Sequence, residues 1–226
     1  MIFAQITTST DTIANVASEP ESVSVLDLLF QGGFMMVPIL ILSIMAVYIF
    51  VERILTISKA EKTPDGFMSK IRDLVEKGDI SAAKVYCKEY DSPTGRMIEK
   101  GLSRIGSPLK NIEVSIENVG KIELFKLEKN LSLMATISGS APMLGFLGTV
   151  IGMIDAFIAI AQEEGSVSPK LLSEGIYTAM VTTAAGLFVG ILAYLGYNYL
   201  VAKVQKVVHK MEYNSVDFID LLQEPR

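Results

Sequence analysis

The stretch NLSLMATISGSAPMLGFLGTVIGMI, residues 130–154, holds 25 residues without a charged side chain. Two further runs share this property, residues 28–51 with 24 residues and residues 175–202 with 28. Each run exceeds the ~20 residues that a helix needs to cross the hydrocarbon core of a bilayer. Because no water satisfies the backbone in that core, each run is predicted to be helical. The sequence therefore predicts an all-α integral membrane protein with three transmembrane helices.

The composition of the rest of the chain excludes several classes of function. Half of the 226 residues are hydrophobic, and the net charge of −5 gives no reason to expect a nucleic-acid partner. Cys87 is the single cysteine and His209 the single histidine, so catalytic or metal sites built on these residues are nearly excluded. We expect no enzymatic activity, no bound metal and no cofactor.

The basic residues predict the orientation in the membrane. No Lys or Arg precedes Arg53, whereas residues 52–129 hold 15 basic and 13 acidic residues. By the positive-inside rule the N-terminus is outside and the C-terminus is cytoplasmic. The predicted segments are an outer N-terminal segment (1–27), transmembrane helix 1 (28–52), a cytoplasmic helical domain (53–107), a long helix with span 2 (108–162), an outer loop (163–174), a long helix with span 3 and a cytoplasmic extension (175–222), and a tail (223–226).

Shorter patterns predict where the other helices begin. The stretch SVLDLLFQGG, residues 24–33, is typical of an amphipathic helix lying at the outer interface. Asp79 is predicted to cap a helix over 80–90, and the pairs Ser92–Pro93 and Ser107–Pro108 are predicted to begin two more. The long helices carry apolar stripes beyond the membrane. Periodicity alone leaves open whether these stripes pack within one subunit or between subunits.

Small residues gather on one face of each of the last two membrane helices, at ~100° per residue. On the second helix this face carries Ala141, Gly145, Gly148 and Gly152, with Thr149 on one flank and Asp155 on the other. The third helix has a matching face with Gly186, Gly190, Thr178 and Thr182, and with Thr183 at its edge. Because small residues let helix backbones approach closely in lipid, the two faces predict a tight, mildly polar seam.

The polar residues on these faces have two readings. The threonines either bond to their own helices, as most intramembrane threonines do, or line an ion pathway. Asp155 is either functional, as carboxylates at membrane depth tend to be, or solvated near the outer interface, seven residues before Gln162. No charged residue lies in the middle of either helix. An ion pathway would therefore need a carboxylate from a partner.

Two stretches resemble a known family. SGSAPMLGFLGTVIGMIDAF (138–157) and GIYTAMVTTAAGLFVGILAYLGYN (175–198) are similar to the MotA/TolQ/ExbB proton-channel family, and most similar to its ExbB and TolQ branch. The resemblance implies a ring of identical subunits, typically a pentamer, around single-span helices of an ExbD- or TolR-type partner with an intramembrane aspartate. It also implies that Thr149 and Thr183 line the ion path, with Thr182 as an extra hydroxyl. We expect the glycine face around Gly148 to receive a helix of such another chain.

One residue departs from this pattern. Many ExbB-type proteins carry a glutamate at the position of Thr178, five residues before Thr183. Its absence makes the partner's aspartate more necessary and leaves the ion open between H⁺ and Na⁺.

The resemblance further implies a proton-driven motor subunit in the bacterial inner membrane that acts on a TonB-like protein to energise outer-membrane transport. A TolQ-like or gliding-type motor subunit, and a passive membrane scaffold, remain as alternatives.

Overall fold

The computed structural model describes residues 32–62, 64, 66–162 and 169–223, and these residues form helices joined by short turns, with no strand among them. The helices are α1 (Met36–Glu61), α2 (Phe67–Glu76), α3 (Ile80–Glu89), α4 (Pro93–Leu102), α5 (Leu109–Glu128), α6 (Leu131–Gln162) and α7 (Pro169–Gln223).

Three stretches of this fold are long and apolar enough to cross a membrane. They are α1, the 54-residue stretch that α5 and α6 make together, and most of α7. The predicted all-α membrane protein with three spans is confirmed. We call α6, the first part of α1 and α7 up to residue 202 the apolar half, and α2–α5 with the ends of α1 and α7 the charged half.

The second long stretch is not the single helix expected over 108–162. Between α5 and α6 the chain leaves the helical conformation, with ψ 135° at Lys129 and φ +63° at Asn130. Asparagine is among the few residues that visit this left-handed region readily. The Nη1 group of buried Arg53 donates to the carbonyl of Lys126, 3.0 Å away, in the last turn of α5. Carbonyls at a helix end lack helical partners, so Arg53 of α1 stabilises the break.

The other boundaries also differ from those predicted. Helix α1 begins at Met36 and continues to Glu61, past the expected end at 52. Helix α7 already includes residues 169–174, which were expected to belong to the outer loop. The segment 1–27 and most of the interfacial stretch 24–33 lie outside the described residues, as does nearly all of the tail.

Two of the three expected helix starts have the cap that their residues predicted. The Asp79 carboxylate accepts the amide of Ala82 at 3.0 Å, and the Ser92 hydroxyl accepts the amide of Gly95 at the same distance. The expectation for Ser107 is wrong. The cap position of α5 is Pro108, which has no side-chain acceptor, so the helix starts one residue later.

In the charged half, the apolar stripes of the helices pack against one another within the single chain. Helices α2, α4, α5 and α7 bury one another's apolar side chains, among them Ile71, Ile98, Ile116 and Phe218. At Gly101 a Cβ would lie 2.6 Å from the ring of Phe218, so α4 and α7 touch closely. Packing within one subunit thus accounts for much of these stripes.

Candidate functional site

The candidate site is the seam between the antiparallel helices α6 and α7, where backbones touch. A Cβ added at Gly145 would lie 3.1 Å from the carbonyl oxygen of Thr182 and 3.2 Å from the Cα of Gly186. A Cβ at Gly186 would lie only 2.6 Å from the carbonyl oxygen of Ala141. Real Cβ atoms essentially never approach backbone as closely as 2.6 Å, so the helices can keep this spacing only with glycine at position 186, and a side chain at position 145 would push them apart by a few tenths of an ångström.

The same packing continues along the seam in both directions. Toward the charged half, a Cβ at Gly190 would meet Pro142, 2.6 Å from its Cδ, and the carbonyl of Ser138 at 3.1 Å. Pro142 donates no hydrogen bond to that carbonyl, because proline lacks an amide hydrogen. Toward the other end, a Cβ at Gly152 would lie 3.1 Å from the Cβ of Ala179. The seam therefore includes every glycine predicted for the packing faces.

The occupant of the glycine face is not the expected one. Gly148 is packed against Thr182 of the chain's own α7, since a Cβ added there would lie 3.0 Å from that residue's Cβ. The expectation that this face receives a helix of another chain is therefore wrong. The two small faces match and belong to consecutive antiparallel helices, so they fill each other first.

Thr183 bridges the two helices. Its hydroxyl donates to the carbonyl of Gly145 across the seam at 2.9 Å. In a regular helix that same carbonyl accepts the amide of Thr149, four residues on. Thr149 therefore lies one helical turn after Gly145, and its backbone amide shares the Gly145 carbonyl with the Thr183 hydroxyl.

Thr149 itself is held by its own helix. Its hydroxyl donates to the carbonyl of Phe146 at 2.6 Å, and the side chain is half-buried at the edge of the seam. A hydroxyl that donates its one hydrogen keeps lone pairs that accept. Thr149 and Thr183 therefore both present acceptor oxygens beside the seam, with their hydrogens already engaged.

Thr182 and Thr178 lie differently. The Thr182 side chain is only 1% exposed, and its hydroxyl lies within bonding distance of the carbonyls of Thr178, at 2.8 Å, and Gly32, at 2.9 Å. The methyl group of Thr178 lies 3.7 Å from the Cβ position of Gly33, a glycine with φ +67°. These two threonines hold the turn before α1 against α7. The pair Gly32–Gly33 was the available signal for this contact, but sequence reasoning assigned it only to the end of an interfacial helix.

Asp155 is exposed on α6, on the flank away from Thr149. Its neighbour Ala156 packs against Gly175, where a Cβ would lie 2.7 Å from the Ala156 Cβ. Asp155 therefore lies toward the end of the seam and points out of it.

The chemistry of the seam is that of neutral acceptors. Residues 130–154 and 175–202 contain no charged side chain, and no cluster of potential metal ligands occurs in the part of the chain that the structure describes. Such a surface can solvate a passing cation or a protonated acid, but it cannot itself take up and release a proton near neutral pH.

Comparison with known proteins identifies the family that contains this pair of helices. A family model described as the MotA/TolQ/ExbB proton channel family matches residues 89–213, from the end of α3 through most of α7. The chain belongs to this family. The matched range includes the break at Asn130 and the entire seam, and it leaves out α1.

Named relatives of the ExbB type are similar to the chain over much of its length. An ExbB homologue of Methanothermobacter thermautotrophicus is 28% identical over 191 residues, covering 84% of this chain and 67% of that protein. Biopolymer transport protein ExbB of Aquifex aeolicus is 34% identical over 140 residues, covering 62% and 88%. The protein of the same name from Neisseria meningitidis is 28% identical over 194 residues, covering 77% and 86%. The chain is thus a multi-pass membrane protein of an ExbB-like kind.

Proposed function

We propose that this chain is the ring-forming subunit of an ion-driven motor in the bacterial inner membrane. In this proposal identical subunits, five in number, surround single-span helices of an ExbD- or TolR-type partner. The observation that carries the proposal is the hydroxyl-edged seam of α6 and α7, in which Thr183 is fixed across both helices while residues 130–154 and 175–202 contain no charged side chain. The acid that takes up the ion is then an aspartate of the partner.

The faces outside the seam support assembly with other helices. Bulky side chains of α6 and α7 point away from the seam and are exposed in the single chain, among them Met143, Phe146, Leu187 and Phe188. In the charged half, where water is the solvent, Ile122 and Phe125 of α5 are exposed as well. Exposed apolar groups outside a membrane are typical of interaction surfaces. The distribution of Lys and Arg supports a periplasmic N-terminus and a cytoplasmic C-terminus.

The mechanism follows from the cost of a charge in the membrane. An ionised aspartate of the partner is held in a poorly solvated site, so ion entry from outside neutralises it and removes that cost. The partner helix is then free to turn or shift inside the ring and release the ion to the cytoplasm. Each elementary charge that crosses about 100 mV supplies about 2.3 kcal/mol. A few ions suffice for a modest conformational step.

The four threonines divide between two roles in this proposal. Thr149 and Thr183 present acceptor oxygens at the edge of the seam and line the ion path. Thr182 and Thr178 support it indirectly, because their contacts are with the turn before α1. Asp155 is retained as a secondary candidate for guiding ions at the outer end.

The load on the motor is proposed from the relatives. These relatives are named biopolymer transport proteins, which favours a TonB-like protein that energises outer-membrane transport. A TolQ-like role in envelope integrity, or a gliding-type motor, uses the same subunit with a different load. A passive scaffold differs more, because its single-span partner needs no intramembrane Asp or Glu.

The experiment is an ion-flux measurement on the subunit co-purified with its single-span partner in liposomes, with H⁺ and Na⁺ gradients tested separately. Thr149→Val and Thr183→Val should assemble normally and lose most of the flux. Thr183→Ser retains the hydroxyl and should restore it. Thr136→Val is the matched control, since Thr136 is also an α6 threonine whose hydroxyl bonds its own helix, at the carbonyl of Ser132, but it lies on the exposed face. Unchanged flux in both valine variants would refute the pathway, and a partner without an intramembrane acid would favour the scaffold.

A further inference from the structure

The break between α5 and α6 is a place where the fold departs from what its own residues favour. Only two residues leave the helical conformation there, Lys129 with ψ 135° and Asn130 with φ +63°. The sequence has no glycine or proline between Gly120 and Gly139. Those are the two residues that most strongly disfavour a helix interior, so a single continuous helix is open to this stretch. Contacts with other parts of the chain must therefore stabilise the break.

Arg53 of α1 supplies such a contact. Its side chain is buried, its charge is paired with the Glu52 carboxylate, and its Nη1 group donates to the carbonyl of Lys126 at 3.0 Å. In a continuous α-helix that carbonyl accepts the backbone amide of Asn130, four residues on. The bond from a guanidinium is charge-assisted and therefore stronger than the amide bond that it replaces. Arg53 and the Asn130 amide are thus alternative donors to one carbonyl.

The two sides of the break are attached to different helices. On one side, α5 is tied to α4, because the buried Glu123 carboxylate accepts from Arg96 at 2.6 Å and a Cβ at Gly120 would lie 3.1 Å from Met97. On the other side, the glycine contacts of the seam tie α6 to α7. Helices α4 and α5 pack on α7 through apolar side chains such as Phe218, and such contacts have no fixed direction. The break therefore joins a unit of α4 and α5 to a unit of α6 and α7.

We propose that the break is a joint with two positions. In one position Arg53 holds the carbonyl of Lys126 and the stretch is two helices, as in the structure. In the other position the Asn130 amide takes that carbonyl, and the stretch Leu109–Gln162 is one helix. Because α6 carries Thr149, the continuous helix passes a movement of α4 and α5 on to the seam, whereas the broken helix absorbs it at a few backbone dihedrals. The joint is a property of the fold and does not depend on the proposed ion path.

Distances between spin labels on the full chain in nanodiscs test the joint, by double electron–electron resonance. One pair is attached at Lys121 of α5 and Gly139 of α6, both exposed, and a Cβ at Gly139 meets nothing within 4 Å. A second pair, at Leu195 and Tyr213, has the same separation in sequence on the uninterrupted α7 and gives the distance for a continuous helix, about 27 Å. Cys87→Ala removes the native thiol. Labelled chains are diluted with unlabelled ones, so that only distances within one chain are measured.

Variants shift the joint in known directions. Arg53→Met removes the donor and should raise the ratio of continuous to broken helices about tenfold, as expected for a lost bond from a charged group. Asn130→Ala disfavours the left-handed conformation and should raise the ratio about fivefold, whereas Asn130→Gly should preserve the break. Arg104→Met is the matched control, since Arg104 is an exposed arginine in the turn between α4 and α5.

A shift of either Arg53→Met or Asn130→Ala toward the distance of the α7 pair supports the joint. The proposal is overturned if Asn130→Ala and a folded Arg53→Met both keep the wild-type distances. It is also overturned if the wild type already has the distance of the α7 pair, because the stretch is then not broken. If circular dichroism shows that Arg53→Met does not fold, Asn130→Ala decides alone. Neither variant alters Thr149 or Thr183, so the distances give their result whatever the ion flux shows.

Discussion

The two halves of the molecule place their bulky side chains in opposite directions. In the charged half, Ile71, Ile98 and Ile116 are fully buried between helices. In the apolar half, large residues such as Met143, at 73% exposed, point outward, and glycines form the contact between α6 and α7. The difference reflects the solvent. Water drives apolar side chains inward, whereas lipid is as apolar as leucine and leaves close backbone packing as the main attraction between helices.

The treatment of polar groups differs in the same way. The charged half joins its helices by ion pairs between α1, α2, α4, α5 and α7, including Arg72 with Asp217 and Arg96 with Glu123. The apolar half joins its helices by neutral bonds, from the Thr183 hydroxyl to the carbonyl of Gly145 across the seam and from the Thr182 hydroxyl to the carbonyl of Gly32 before α1. Hydroxyl-to-carbonyl bonds avoid the cost of burying a charge. The following substitutions test this contrast, each paired with a position that lacks the proposed contact.

The largest effect is expected where a bulky side chain is buried. Ile116→Ala should lower the free energy of unfolding by about 2–5 kcal/mol, because it removes apolar contacts and leaves a cavity in the charged half. Met143→Ala, in the apolar half, should change it by less than about 0.5 kcal/mol. Denaturation in detergent followed by circular dichroism measures both. Equal losses in the two variants would contradict the proposed difference between the halves.

Adding a side chain, rather than removing one, should destabilise the apolar half at the seam. Gly186→Leu forces the backbones of α6 and α7 apart, since even a Cβ would lie 2.6 Å from the carbonyl of Ala141. We expect a loss of about 1–3 kcal/mol. Gly139→Leu is the matched control, because a Cβ there would meet nothing within 4 Å. The same denaturation experiment measures both variants. If Gly186→Leu lowers the free energy of unfolding no more than Gly139→Leu does, the backbones of α6 and α7 are not in close contact at the seam.

The ion pairs of the charged half should contribute less than its core. The Glu123 carboxylate is buried and accepts from Arg96 at 2.6 Å and Lys126 at 2.7 Å. Glu123→Gln keeps the shape of the side chain but removes its charge. We expect the free energy of unfolding to fall by about 1.5–3 kcal/mol at most. Solvent screening at the half-exposed Arg96 reduces this loss.

The control for this substitution is Glu117→Gln. Glu117 forms an exposed pair with Lys121, which should contribute only about 0.3–0.5 kcal/mol. High salt should diminish the Glu117 effect more than the Glu123 effect, since buried pairs are screened less. Equal salt dependence would indicate that the Glu123 network is open to water.

How far the sequence alone determined this structure depends on the range of the interaction. The three spans and the small faces of α6 and α7 follow from local periodicity, which is why Gly145 and Gly186 were assigned to packing faces. The break at Asn130 was missed because a single asparagine is a weak stop signal, and the bond from Arg53 that holds it comes from 73 residues away. The contact of Thr182 with Gly32 spans 150 residues and was equally out of reach.

The occupant of the glycine face shows a different limit. A small face predicts a close neighbour but carries no information on which helix that neighbour is. Sequence reasoning therefore found the geometry around Gly148 and assigned it to the wrong chain. For the candidate site, the positions of Thr149 and Thr183 at the edge of the seam were predicted from the helical wheel. Their role in ion passage stays a proposal.

The smallest effect on stability is expected from Cys87 near neutral pH. Burial in the charged half raises the pKa of its thiol from the ordinary 9.0 to about 12. Well below pH 9, folded and unfolded chains then both hold the thiol proton, so the thiol adds no pH dependence there. Above pH 9 the unfolded chain loses this proton first, and stability should fall as the pH rises toward 12. A Cys87→Ala variant should lack the part of this fall in unfolding free energy that comes from the thiol, as pH-dependent denaturation would measure.

Alkylation measures the same property without unfolding the chain. At pH 8 a thiol with a pKa raised by three units has about a thousandfold less thiolate, and the thiolate is the reactive form. The folded protein should therefore react with iodoacetamide very slowly, and denaturant should restore the rate of an ordinary cysteine. Fast alkylation of the folded chain would mean that α3 opens readily to water, and that the charged half is less closed than its buried isoleucines indicate.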